Sequence, residues 1–396
     1  MKITRIDTIS LAELPNLLFV RVHTDSGLVG HGETYYAVDA VRGFVHEVAA
    51  PLLLGTNPLS IEGHWRMLYE RCARFGARGT EMRAISALDV ALWDVLGHAA
   101  GLPLYQLLGG ASRQSIRINN TCAGPSYSRV TAGGPAQAVR GGLYEDLEAF
   151  TTRADELALD LLGEGIGGMK IWPFDPFARA RGGLRIDPAD LDAGLEPFRK
   201  IRRAVGNRID VMVEGHGYWS LPAAVQIARA LEEYSPAWVE DLILADQIGA
   251  LAELRRSTTI PVLASEFLMT RWEYQPLLDQ HAADIVMIDP TWCGGITEAR
   301  KIAAMADTYH LPVTFHDCTG PFTLFAGVHL ALNAPHAVYQ ETVRSFIRLV
   351  YPDLVTELPY IEAGAILPPS RAGLGTALQP DIADRPGATL VSSRES

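Results

Sequence analysis

The sequence predicts an α/β chain folded as a (β/α)8-type barrel behind a smaller α+β unit, and three observations predict it. Eight short apolar runs recur through residues 115–345, helical stretches fall between them, and three successive runs each end in a glutamate. Apolar runs alternating with amphipathic stretches imply parallel strands joined by crossover helices. Eight such units in series imply a closed barrel. At 396 residues, the chain has room for a barrel and a second domain, since barrels take roughly 200 to 250 residues.

The elements follow in chain order. Ile3 to Ile9 and Leu17 to His23 alternate in polarity as paired strands do, and Thr24-Asp25-Ser26-Gly27 supplies a turn before a short strand from Leu28 to Glu33. From about Ala37 to Leu108 the pattern is helical, with Ile85, Leu88, Leu92 and Leu96 three or four residues apart. The eight strand candidates are Ile116 to Cys122, Gly168 to Trp172, Ile209 to Glu214, Trp238 to Glu240, Val262 to Ser265, Ile285 to Asp289, Val313 to His316 and Val338 to Glu341. Helices are expected at Asp187 to Val205, Leu221 to Glu233, Asp246 to Arg256 and Thr297 to Tyr309. Gly124 to Gly142 and Pro173 to Arg185, the latter with paired Gly182-Gly183, read as loops, and long loops serve either as lids or as plain connections. The tail after Pro368 reads as irregular surface chain.

Composition narrows the function. Hydrophobic residues at 48% and charged residues at 20% describe a folded globular protein. A net charge of -12 argues against a grip on nucleic acid, which needs clustered Lys and Arg. An acidic protein that takes an anionic substrate must hold it with a local cation, a basic side chain or a metal ion. Cys72, Cys122, Cys293 and Cys318 are scattered and form no Cys-x-x-Cys pair, which suits a reducing compartment. Met1 to Asp7 lacks an apolar signal core and no run reaches membrane-spanning length, so a cytoplasmic protein without membrane association is expected.

Glu214, Glu240 and Glu266 stand at the C-terminal ends of successive strand candidates, each 26 residues from the next. Those ends of barrel strands face the active site, so the three carboxylates should converge. Converging carboxylates repel unless a cation joins them, and an all-oxygen set suits a hard ion such as Mg2+. Three protein ligands leave coordination positions for water and a chelating substrate. The alternative for any one of them is a strand-end glutamate paired with Lys or Arg.

Asp289 and His316 end the sixth and seventh strand candidates, where neighbouring ends can touch. A carboxylate on one imidazole nitrogen fixes the tautomer and raises the basicity of the other, as a general base needs. A structural His-Asp pair is the alternative. His216 stands two residues after Glu214, so strand alternation puts both on one face.

This progression of ligands resembles that of the enolase superfamily, in its mandelate racemase-like branch. Residues 84–97 (AISALDVALWDVLG) are similar to a helix of that family's capping domain, and residues 101–110 (GLPLYQLLGG) to the segment leading into its barrel. The resemblance implies a modified TIM barrel over about 115–345, an α+β capping domain from residues 1–114, and a segment 346–396 packing back on that domain. It implies His316 as the base with Asp289 behind it, and Glu341 as a protonated carboxyl that hydrogen-bonds the enediolate. Lys170 would polarise a substrate carboxylate, and His216 would protonate a departing hydroxyl as in the family's sugar-acid dehydratases. Two departures stand out: the first metal ligand, usually Asp, is Glu214, and the second lysine of a Lys-x-Lys pair is Trp172, left as a substrate contact. The implied reaction is Mg2+-dependent dehydration of an aldonate or aldarate, with a racemase or epimerase as the runner-up and a non-catalytic metal-binding protein behind it. Specificity is expected from Asn16 to Leu18, Glu33 to Tyr36 and Ala73 to Gly79, and a symmetric homo-oligomer is expected.

Overall fold

A computed structural model describes residues 1–129 and 142–395. The chain opens with three antiparallel strands, β1 (Ile3–Leu11), β2 (Leu17–Thr24) and β3 (Val29–Tyr35). Helix Thr80–Ala100 packs across them, with an unbroken buried stretch from Ala84 to Val95. The close approach is set by glycine on β3. A Cβ at Gly30 would lie 2.0 Å from the Ala91 carbonyl oxygen, and one at Gly32 would lie 2.1 Å from that of Ala87. Any side chain at either position would push helix and sheet apart.

The barrel consists of β4 (Ile116–Thr121), β5 (Gly168–Ile171), β6 (Asp210–Glu214), β7 (Trp238–Glu240), β8 (Val262–Ala264), β9 (Ile285–Ile288), β10 (Val313–Phe315) and β11 (Ala337–Thr342). Neighbours pair in parallel, and β11 closes on β4. The eight strand candidates all form, within a residue or so of their expected ends. Helices Pro188–Val205, Leu221–Leu231, Ile248–Arg256 and Gly295–Thr308 stand where the periodicity puts them. A hairpin of β12 (Ile361–Glu362) and β13 (Ala365–Ile366) extends from β4.

Alternation along the strands explains the position of the site. Met212, Trp238, Met287 and Tyr339 belong to a cluster inside the barrel. The residues two positions later in the chain are Glu214, Glu240, Asp289 and Glu341. Period-two alternation sends each acid to the same interior, one layer closer to the C-terminal mouth. An apolar plug thus floors a layer of carboxylates.

Two expectations are corrected. The tail beyond Pro368 is not wholly irregular, because β14 (Ala388–Arg394) pairs antiparallel with β1 from Arg5 to Leu11 and makes a four-stranded sheet. Its residues lack a strong apolar face, and the pairing is carried by backbone hydrogen bonds that composition does not advertise. The stretch from Pro173 to Arg185 is not merely loop, since Asp175–Arg181 forms a helix ended by Gly182 at φ +68°. Of the other expected loop, Pro125–Arg129 forms a 3-10 turn and residues 130–141 lie outside the described residues. Among the described residues no helix is long and apolar enough to cross a membrane.

The first sheet is bolted to the barrel mouth. Glu33, on β3, accepts hydrogen bonds from the Thr323 backbone N–H at 2.7 Å and its hydroxyl at 2.8 Å, at the start of helix Pro321–Asn333. Burial pushes the Glu33 carboxyl up to about 7, against those same bonds. Thr34 donates to the Thr291 carbonyl at 3.1 Å, and Trp93 to the Thr297 hydroxyl at 2.9 Å. These contacts hold the end of β3 over the strand ends.

Candidate active site

Glu214, Glu240 and Glu266 each offer a carboxylate oxygen, and these three atoms lie within 4.8 Å of one another. Glu214 and Glu240 end β6 and β7 in direct register. Glu266 follows β8 by two residues, and all three are buried. Glu214 is braced by the Gly215 and His216 backbone N–H groups at 2.9 and 2.6 Å. Glu240 accepts from the Trp238 indole at 3.0 Å. By contrast Glu266 Oε2 is buried without a hydrogen-bond partner among the described residues. An orphaned carboxylate oxygen facing two further carboxylates suits a hard divalent cation, which would satisfy it. The donor set fits such an ion, and these three residues could hold it.

Lys170, at the end of β5, is the cation already in the cluster. Its ammonium lies 2.6 Å from Glu240, 2.8 Å from Glu341 and 3.4 Å from Glu214. Burial opposes its charge, but Glu240, Glu341 and Glu214 outweigh that and hold Lys170 protonated well above the ordinary lysine range. Burial, helped by Glu214 and Glu341 and opposed by Lys170, pushes Glu240 up to about 8.

His316 follows β10, and its Nδ1 stands 2.7 Å from Asp289 Oδ2. The other Asp289 oxygen is fixed by the Thr291 backbone N–H at 2.6 Å and its hydroxyl at 2.8 Å. An ionised carboxylate only accepts, so Nδ1 carries the hydrogen and Nε2 is left for a substrate. Burial disfavours the imidazolium, yet Glu341 and Asp289 prevail and lift His316 to about 10. A divalent cation among the carboxylates would offset much of this negative field and bring the imidazole toward its basic form.

Glu341 ends β11 and accepts from the Thr121 hydroxyl and, at 3.3 Å, from the Asp317 backbone N–H. Burial pushes its pKa up, but the Lys170 ammonium and then His316 push it below the usual carboxylate value. With that ammonium in contact, Glu341 is an acceptor here.

His216 follows Glu214 in a turn and has a left-handed backbone, φ +47°. Its Nδ1 lies 2.7 Å from Asp175 Oδ2, and burial is outweighed by Asp175 and Glu214 so that the ring is held at about 9. Trp172 meets its ring edge-on with centroids 5.8 Å apart.

One cavity gathers Lys170, Trp172, Glu214, His216, Glu266, His316 and Glu341, while Glu240 and Asp289 support it from behind. Its wall is aromatic, with Tyr35 and Tyr36 from the end of β3, Tyr127, Trp172, Phe267 and Trp292. Of the three stretches expected to set specificity, only Tyr35 and Tyr36 line the cavity. Residues 16–18 and 73–79 do not line it. Asn16 supports Tyr35 from outside through a 3.5 Å bond to its hydroxyl, and Gly79 is tied to Met269.

Two site acids escaped sequence reasoning. Asp241, next to Glu240, is buried and accepts from the Ser265 hydroxyl at 2.7 Å. Burial and the neighbouring Glu266 and Glu214 push its carboxyl well above the usual range. Asp175 lies in the stretch read as loop, and its only signal was an Asp-Pro pair at a helix start.

The family model for the mandelate racemase / muconate lactonizing enzyme N-terminal domain matches residues 6–109, and that for the enolase C-terminal domain-like family matches residues 153–382. A D-galactonate dehydratase of Ralstonia nicotianae is 31% identical over 385 residues, covering 95% of this chain and 91% of that one. An arabinonate dehydratase of Saccharolobus solfataricus is 28% identical over 377 residues, covering 94% and 91%. Among solved structures, an enolase of the mandelate racemase subgroup from Agrobacterium tumefaciens superposes with a TM-score of 0.89 at 45% identity, covering 100% of this chain and 99% of that one. An enolase protein from Sargasso Sea environmental sequencing superposes equally well, TM-score 0.89, at 42% identity and coverage of 100% and 99%.

Proposed function

The chain belongs to the enolase superfamily, in its mandelate racemase / muconate lactonizing enzyme family, and we propose that it dehydrates an aldonate or aldarate to a 2-keto-3-deoxy sugar acid. The observation that carries this reading is a pair of imidazoles, His316 and His216, on one cavity, each backed by its own carboxylate at 2.7 Å. A dehydratase needs a base for the C2 proton and an acid for the 3-hydroxyl, and two separately backed imidazoles can divide that work. The dehydratase names of the relatives support the same reading.

In this mechanism Glu214, Glu240 and Glu266 would hold Mg2+, which would supply positive charge against the substrate carboxylate and its enediolate. His316 Nε2 takes the C2 proton while Asp289 steadies the ring. The Lys170 ammonium, held protonated by its carboxylates, faces the negative charge that develops. Glu341 keeps Lys170 and Thr121 in place. His216 gives its Nε2 proton to the 3-hydroxyl, the C3–O bond breaks, and water departs as the C2–C3 double bond forms. The enol then tautomerises to the keto acid. The aromatic wall lies against these buried charges, and a low-dielectric surrounding strengthens charge interactions inside it.

The test is a panel of aldonates and aldarates incubated with the protein and Mg2+, read for 2-keto acid. Release of keto acid from at least one member is expected. Exchange or inversion at C2 with every hydroxyl retained would instead make it an epimerase and sink the dehydratase reading. Trp172, standing where a second lysine would serve as the opposing base, speaks against that outcome.

A further inference from the structure

The segment from Pro173 to Arg185 is attached to the His216 turn at three points. Asp175 meets His216 at 2.7 Å. Arg179 donates to the Tyr218 hydroxyl at 3.2 Å and lies over its ring, 5.4 Å from the centroid. The Gly183 carbonyl accepts from the Ser220 backbone N–H at 2.9 Å, and the Ser220 hydroxyl donates to the Leu184 carbonyl at 2.8 Å. Gly183 is the tightest of these: its φ is +67°, and a Cβ there would sit 1.7 Å from the Tyr218 carbonyl oxygen. Only glycine allows the segment to lie this close to the turn.

At the centre of this attachment is a carboxylate with one use. Asp175 is buried, and its Oδ1 has no hydrogen-bond partner among the described residues. The imidazole contact is therefore the single hydrogen bond its side chain makes there. A buried carboxylate with one partner is a costly arrangement for a fold, and a packed helix start could as well carry a smaller neutral residue. The contact has the form of the one between Asp289 and His316, but it is assembled from an insertion between β5 and β6 rather than from adjacent strand ends. Trp172 packs edge-on against the same ring.

We propose that Asp175 is a positioning residue for His216: it holds the Nδ1 hydrogen, turns Nε2 to the substrate, and is itself held in place by the docking of residues 173–185 on the His216 turn through Gly183 and Arg179. The inference rests on the dehydratase reading for its kinetic test and on geometry alone for its spectroscopic one. The step served is proton transfer from His216 Nε2 to the departing 3-hydroxyl, with C3–O cleavage and release of water, so Asp175 changes no bond of its own.

The experiment compares Asp175→Asn, Asp175→Glu and Gly183→Ala with the unaltered protein, all with Mg2+ present. Deuterium exchange at C2 reads His316, and keto-acid release reads His216. Asp175→Asn is expected to keep exchange within about twofold and to slow elimination by about a hundredfold, within the range of acid–base contributions. Asp175→Glu should restore part of the elimination, Gly183→Ala should slow it less, and adding Asp175→Asn to His216→Asn should cost nothing further. Equal loss of exchange and elimination in Asp175→Asn, or no loss in either, would overturn the proposal. Proton and 15N spectra of ring-labelled histidine supply the second readout. A strongly hydrogen-bonded ring N–H signal that vanishes in His216→Asn should shift in Asp175→Asn, and an unchanged signal would overturn the proposal whatever the reaction. If the unaltered protein exchanges C2 without releasing keto acid, the dehydratase reading fails alone and the ring signal decides this inference by itself.

Discussion

The two imidazole–carboxylate pairs at the cavity have the same 2.7 Å contact and opposite origins. Asp289 and His316 directly follow neighbouring barrel strands, β9 and β10, whose register brings them together. Asp175 and His216 come from an inserted helix and a left-handed turn, and they meet only because one loop docks on another. A pair set by strand register is as rigid as the sheet, whereas a pair set by loop docking depends on every contact that seats the loop. Rigid placement suits the proposed base, which would work at a fixed distance from Glu214, Glu240 and Glu266. A docked loop can be altered without disturbing the barrel, which makes this half of the site the place where related chemistry can diverge.

Experiments can break or sharpen this contrast. The largest effect is expected from His316→Asn, which should lower C2 exchange by about 10^2 to 10^4-fold and turnover with it. Exchange that survives, followed by deuterium incorporation, would remove His316 as the base. Glu266→Gln tests whether both pairs answer to one cation. Calorimetric titration of Mg2+ should show affinity falling by more than the 10- to 100-fold loss usual for removing an outer-shell partner, and unchanged binding would detach Glu266 from the metal site. His216→Asn should slow elimination by about 10^2-fold and spare exchange. Parallel loss of both would mean that the two imidazoles do not divide the work.

Two controls lie away from the mouth. Gly32→Ala drives a methyl toward the Ala87 carbonyl and should destabilise by about 1 to 3 kcal/mol in denaturant titration. An unaltered midpoint would show that the helix can retreat from β3. A third contact of imidazole with carboxylate, Asp94 with His98 at 3.3 Å, sits under the first sheet. Burial opposes ionisation of Asp94, but His31 and His98 override it and hold its pKa at about 2; the bond to Asp94 in turn raises His98 above 6.5. The Asp94 contribution is therefore present above the ordinary carboxylate value and lost as pH falls through about 2. The His98 contribution is full below 6.5 and is lost as pH rises through its raised folded value. His98→Ala should remove the part of the melting-temperature decline that accompanies His98 deprotonation, and an unchanged pH profile would mean the contact carries no such linkage.

Much of this molecule could be read before any coordinates. The eight strands were legible because each is a short apolar run, and alternation within them points Glu214, Glu240, Asp289 and Glu341 to the interior of the barrel. Lys170 and Trp172 were singled out instead by the family resemblance, at the two positions of a Lys-x-Lys pair. What could not be read was any contact between segments distant in sequence without a shared strand register. Nothing local in Asp175 names His216 as its partner 41 residues away, and nothing in the polar run from Ala388 to Arg394 says that it will pair with β1. The downward push on the Glu341 carboxyl escaped for a related reason. A carboxyl's charge depends on which cation stands beside it, and Lys170 reaches it only after the barrel closes.

The sequence by itself determined the barrel, the inward row of acids and the imidazole that follows β10, because strand period and strand order are local properties that the chain repeats eight times. Tertiary structure alone decided how His216 is oriented, which of the expected specificity stretches reaches the cavity, and which cation stands beside each carboxylate. Those outcomes depend on distances across the closed fold, where electric fields and docked loops act between residues that share no local pattern.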